Sequence, residues 1–121
     1  MIRSALLVGV LLLALLLAGE PAPVAILFAP HYVTEDTPIT FQVRVQPNSA
    51  NRLLVVAALD ETGETMRRSD EQLDNHSRVT REIAWGPLSA GTYTLIAQAF
   101  DGAGKTTGRA TSTVNVLEWR Q

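Results

Sequence analysis

The sequence predicts an all-β sandwich of seven short strands behind one N-terminal hydrophobic helix, and three observations carry that expectation. Beyond Glu20 the apolar positions recur with a period of two rather than 3.6. Breaks rich in Gly, Pro, Asn and Asp return about every 8–12 residues, the spacing of a sandwich. Residues 1–20 follow neither rule and contain an unbroken apolar run.

That run, Ala5 to Gly19, reads ALLVGVLLLALLLAG, with Arg3 before it and Glu20-Pro21 after it. A positive residue followed by an apolar stretch fits a secretory signal or a short membrane anchor. The chain has no cysteine, so a lipid-modified N-terminus is excluded. No A-x-A triplet marks a cleavage site: a cut after Ala18 leaves Leu16 at the third place, and a cut after Ala22 leaves Glu20 there. Extended back to Ile2, the helix reaches about 27 Å, just short of the roughly 30 Å hydrocarbon core. A retained anchor and a cleaved signal both stay open. In either case Arg3 remains inside and the rest of the chain is exported. The expected division is an anchor or signal over 1–20, a Pro-rich spacer over 21–23 and a sandwich domain over 24–121.

The strands follow in order, near 24–29, 38–46, 52–60, 64–69, 78–85, 91–100 and 109–117. Ile39, Phe41, Val43 and Val45 alternate with Thr40, Gln42, Arg44 and Gln46, a half-buried strand. Leu53 to Leu59 has no alternation, so it is either a central strand covered on both faces or one whose outer face binds something. Val79, Ile83 and Trp85 share a parity that Arg81 breaks, and Trp85 is assigned to the core. Tyr93, Leu95, Ala97 and Ala99 alternate with Thr94, Ile96, Gln98 and Phe100, a second face apolar enough to meet another surface. Val114 and Val116 alternate with Thr113 and Asn115. Asp60-Glu61-Thr62-Gly63 and Asp101-Gly102-Ala103-Gly104 read as turns with glycine where φ is positive. The stretch Arg68 to Ser77 is polar and reads as a loop or one helical turn.

The segment Gly86-Pro87-Leu88-Ser89-Ala90-Gly91-Thr92-Tyr93-Thr94-Leu95 resembles the E–F region of bacterial immunoglobulin-like and fibronectin type III-like domains. In those families a leucine plugs the core end, an Ala-Gly turn follows, and a tyrosine opens the next strand. The resemblance implies these structural roles for Leu88, Gly91 and Tyr93, with the Tyr93 hydroxyl reaching backbone as a tyrosine corner. Ala99 to Gly104 resembles the following hairpin. The close likeness spans about 30 residues and speaks to fold, not to function. The chain lacks both cysteines of antibody-type domains.

Composition removes several function classes. With net charge −2 there is no nucleic-acid footprint. Without cysteine there is no thiolate catalysis, no zinc–sulfur site and no disulfide-linked partner. A triad of His76, Asp74 and Ser77 or Ser69 lacks a nucleophile elbow. Asp70, Glu71, Asp74 and His76 follow no EF-hand or zinc spacing. Arg67-Arg68, with Arg78 and Arg81, reads as a solvated strand face. Asn75-His76-Ser77 fits a glycosylation sequon, of use only in a eukaryotic secretory setting. No catalytic, cofactor-binding or metal residue is therefore assigned, and no cofactor is expected. The interaction candidates are three aromatics, Phe28, Tyr32 and Trp119, with Tyr32 placed close to the membrane if the anchor is retained.

The expected protein is non-catalytic. It is a module tethered in the bacterial inner membrane with its domain in the periplasm, an accessory subunit of a larger envelope complex. Its partners are other membrane or envelope proteins, and the lipid bilayer through Ile2–Gly19. The alternative is a periplasmic or secreted domain that binds glycan or another ligand. An enzyme or metal carrier fits least.

Overall fold

The computed structural model describes residues 22–74 and 78–119; the apolar run and the sequon lie outside them. Eight strands form: β1 (Val24–Leu27), β2 (Tyr32–Thr34), β3 (Ile39–Val45), β4 (Asn51–Leu59), β5 (Thr65–Gln72), β6 (Val79–Trp85), β7 (Gly91–Asp101) and β8 (Thr106–Leu117). They make a three-stranded sheet ordered β1-β3-β6 and a five-stranded sheet ordered β2-β8-β7-β4-β5. No helix among the described residues is long and apolar enough to cross a membrane.

The architecture is the expected all-β sandwich, with one strand more than expected. The first predicted strand breaks after Leu27. The chain crosses from the three-stranded sheet to the five-stranded one through Phe28–His31, and β2 then pairs parallel with β8, Tyr32 opposite Asn115 and Thr34 opposite Leu117. One chain segment thereby serves as an edge of both sheets and closes that side of the sandwich.

The core follows the period-two pattern. Ile39, Phe41, Val43 and Val45 of β3 face Leu54, Val56 and Ala58 of β4, Leu95, Ala97 and Ala99 of β7, and Val114 and Val116 of β8, all buried. The Phe41 ring meets Trp85 edge to face at 5.3 Å between centroids, a favoured aromatic geometry. Leu88 is buried beneath the β6–β7 crossing. The Tyr93 hydroxyl donates to the Ser89 carbonyl at 2.7 Å, which ties that crossing to β7.

Two hairpin turns share one construction. Asp60 Oδ1 accepts from the backbone N–H groups of Thr62 and Glu64, both at 2.9 Å, and Gly63 follows at φ 86°. Asp101 Oδ1 accepts from Ala103 at 2.9 Å and Lys105 at 2.8 Å, with Gly104 at φ 82°. In each, the aspartate satisfies the loop amides and the glycine takes the left-handed position that a side chain would strain.

The other lateral side is closed by side chains. Strand β5 runs to Gln72, so most of the polar stretch taken for a loop is an edge strand. Its inward positions reach across to β6 and the segment after it. Arg67 Nη2 donates to the Pro87 carbonyl at 3.0 Å, Trp85 Nε1 donates to Ser69 Oγ at 2.9 Å, and Arg81 pairs with Glu71. This explains Arg81 on an apolar parity: it stands at the sheet edge, where a long side chain keeps its charge in water.

Candidate interaction surfaces

The described residues offer two surfaces. The first is an aromatic corner at the β2–β8 edge. The parallel register turns Val33 toward the core and leaves Tyr32 and Thr34 outward, beside Asn115 and Leu117. The chain stays alongside β2 beyond the strand: Glu35 donates its N–H to the Leu117 carbonyl at 3.0 Å, and Trp119 donates its N–H to Glu35 Oε1 at 3.2 Å. Tyr32 is 69% exposed, Leu117 50% and Trp119 53%, so three large side chains from the two ends of the domain stand in water together. Polar groups surround them. Asn115 Nδ2 donates to the His31 carbonyl at 3.2 Å, and Thr92 Oγ1 donates to Asn115 Oδ1 at 3.1 Å. Rings beside fixed amide and carboxylate groups present both an apolar face and hydrogen-bonding partners.

Phe28 is separate. It lies on the crossing between the sheets, 81% exposed, with φ at 59°. That left-handed conformation costs a residue bearing a β-carbon roughly 1–2 kcal/mol, and the sheet switch requires it.

Tyr32 lies away from the point at which the described chain begins. The chain enters beside Gly108, where an added Cβ would come within 2.8 Å of Pro23 and Val24, and the Pro23 carbonyl accepts from Gln46 N–H at 2.9 Å. Pro23 thus lies against the sandwich. From Gly108 to Asn115, the partner of Tyr32, β8 covers about 23 Å at roughly 3.3 Å per residue. Tyr32 and Trp119 therefore stand toward the end opposite the entering chain, because β1 and β2 run the length of the sandwich before the chain turns back.

The second surface was only partly legible in advance. In β4, Leu54, Val56 and Ala58 point inward; Leu53, Val55, Ala57 and Leu59 point outward and are half-buried. Strand β7 lies beside it with Ile96 and Phe100 outward, Ala57 opposite Ile96 and Leu53 opposite Phe100. Among the described residues nothing covers this face. It holds a shallow open hollow of about 620 Å³, lined by Leu53, Val55, Phe100 and Gln98 with Arg52 and Arg68 at its rim. The unalternating run in β4 and the apolar second face of β7 were both visible in sequence. Their adjacency in the sheet was not.

The weaker chemical candidates do not converge. Asp70 points outward and pairs with Arg68 at 2.8 Å, which holds its carboxyl below the usual range, whereas Glu71 points the other way to Arg81. Ser69 is taken by Trp85, and His76 lies outside the described residues. Among the described residues no three His, Asp or Glu side chains gather closely enough to hold a metal ion. Arg67 and Arg68 leave opposite faces of β5, so they form no paired anion site.

No family model and no curated protein matches the sequence. Solved structures match in fold. The CARDB domain of the PF1109 protein from Pyrococcus furiosus, determined in complex with di-metal ions, is 18% identical with a TM-score of 0.57, covering 82% of this chain and 94% of that one. A β-glucuronidase of glycoside hydrolase family 2 is 15% identical with a TM-score of 0.55, over 81% of this chain but 11% of that one. The fibronectin(III)-like modules of CbhA from Clostridium thermocellum are 15% identical with a TM-score of 0.51, over 80% of this chain and 99% of that one. In fold, then, the chain is an immunoglobulin-like, fibronectin type III-like sandwich similar to these modules.

Proposed function

We propose that this chain is a binding module of the cell envelope that takes a glycan on the corner formed by Tyr32, Leu117 and Trp119. The reading takes the domain as a non-catalytic binder. The observation that carries the glycan reading is that Tyr32, Leu117 and Trp119, from distant parts of the sequence, line one exposed edge. Ring faces stack on the apolar face of a sugar, and Asn115, Thr34 and Glu35 supply polar partners for hydroxyl groups. One of the similar folds belongs to a β-glucuronidase, which sets such a domain in carbohydrate-acting company. The N-terminal apolar run exports the domain to the periplasm or beyond. If it is retained as an anchor, the corner stands toward the end away from the tether.

The test is affinity electrophoresis of the full chain in mild detergent, through gels containing neutral and acidic polysaccharides. At least one polysaccharide should retard the protein, and Tyr32→Ala and Trp119→Ala should each remove the retardation while leaving the thermal melt unchanged. Free migration through every gel would overturn the reading. A second reading, a membrane-tethered accessory subunit, draws on the uncovered apolar face of β4 and β7. It requires a protein partner that co-purifies in detergent, and an N-terminal segment still present in the mass of the mature chain.

A further inference from the structure

The outer face of the five-stranded sheet is a different surface from the aromatic corner, and the order of its residues says what fits it. Read across the strands β5-β4-β7-β8, three rows stand out. They are Gln72–Leu53–Phe100–Thr106, then Asp70–Val55–Gln98–Arg109, then Arg68–Ala57–Ile96–Thr111. The apolar side chains occupy the two middle strands. In the central row an acid stands on one outer strand and a base on the other.

We propose that this face binds a second copy of the same chain, with a two-fold axis along the strands between β4 and β7. Such an axis keeps each row at its own height and exchanges its left and right ends. Leu53 of one copy then faces Phe100 of the other, Ala57 faces Ile96, and Asp70 faces Arg109, twice each by symmetry. Sheets packed face to face stand about 10 Å apart, a gap that an aspartate and an arginine together can span. When the face is turned over, the central row sets acid against base and Val55 against Gln98, and Arg68 stays beside Asp70, whose carboxylate is then shared between two arginines.

Four strands about 4.8 Å apart, and rows running from Leu53 to Leu59, make a flat footprint of about 19 by 23 Å, or about 440 Å², before side-chain relief is added. That is roughly half of the ~800 Å² of accessible surface per partner in a standard interface, the size of a weak dimer. The β5 edge does not compete: Arg68 and Asp70 stud it, and charged side chains at a sheet edge oppose strand addition. Contact therefore occurs face to face.

The experiment is sedimentation equilibrium of the full chain in a density-matched mild detergent, at protein concentrations up to about 100-fold apart. The wild type should shift from monomer to dimer across that range. Asp70→Arg sets two arginines against each other and Arg109→Asp sets two aspartates; each should weaken the dimer at least tenfold. The double variant restores the opposite charges and should recover the wild-type dimer. Thermal melts of all four proteins separate loss of association from loss of folding. A monomer at every concentration overturns the proposal. So does a dimer that survives both single reversals, and so does a double variant that stays monomeric while folded. Polysaccharide retardation through Tyr32 and Trp119 is read independently, since neither residue lies in the three rows.

Discussion

The two outer faces of this sandwich are built on the same alternation and filled differently. On the three-stranded sheet, the outward positions of β3 and β6 are Thr40, Gln42, Arg44, Thr80, Glu82 and Ala84, polar at every place but the last. On the five-stranded sheet, the outward positions of β4 and β7 include Leu53, Val55, Ala57, Ile96 and Phe100. The core does not call for the second set, since every one of these residues has inward neighbours that already fill it. A polar outer face is what an antiparallel sheet adopts against solvent. An apolar one, contiguous over two central strands, marks a place where water is meant to leave. The contrast teaches that core packing and surface recognition are specified separately along one strand, at alternate residues.

The largest effect should come from removing what both faces share. Phe41 is fully buried between the sheets against Trp85. Phe41→Ala should cost about 3–5 kcal/mol through lost burial and the cavity left behind. Urea unfolding followed by circular dichroism should show that loss, with self-association failing together with folding.

The comparison itself is sharpened by a matched pair. Ile96→Lys places a charge at the centre of the apolar face and should weaken self-association at least tenfold in sedimentation. Gln42→Lys makes the same change on the polar face and should leave association as it was. Both should fold with melting curves close to the wild type, because neither side chain belongs to the buried core.

A smaller effect tests the lateral seal between the sheets. Trp85→Phe keeps the aromatic body but removes the Nε1–H bond to Ser69 Oγ. A loss of about 0.5–1.5 kcal/mol is expected. Equilibrium unfolding measures it, and a loss above about 3 kcal/mol would point to packing rather than the bond.

The smallest concerns pH. Thr62 and Glu64 donate to the Asp60 carboxylate and hold its pKa below the usual aspartate range. A carboxylate depressed in the folded state adds stability above about pH 4, and that stability is lost as pH falls through the lowered value. Asp60→Asn should therefore flatten the acid limb of a plot of melting temperature against pH below about 4. Because the Asp60 carboxylate sits in a surface turn where solvent screens it, the change should be small.

Much of the fold was legible because alternation is a local property. Ile39 to Val45, Tyr93 to Ala99 and Val114 to Val116 announce their inward faces without reference to any partner. Asp60–Gly63 and Asp101–Gly104 announce their turns by chemistry confined to each loop. What escaped the sequence was non-local. Thr65 to Gln72 carries no apolar stripe, since an edge strand that reaches sideways for hydrogen bonds needs none, and so its second half looked like a loop. The break at Phe28 looked like continuous strand, because a change of sheet is set by what lies beyond the chain's own neighbours. Of the aromatic candidates, Tyr32 and Trp119 share one edge only because β2 runs parallel to the end of β8, a pairing between the two ends of the domain.

By itself, then, the sequence determined which side chains enter the core, where the hairpins turn, and that no cysteine or clustered charge directs the chemistry. These follow from residue type at fixed local spacing. Only the tertiary structure decided that β4 and β7 are neighbours, so that two half-apolar faces become one. It also decided that Tyr32 and Trp119 lie toward the end opposite the entering chain, with Phe28 apart on the crossing. Both depend on strand order and register, which arise from packing the whole chain at once.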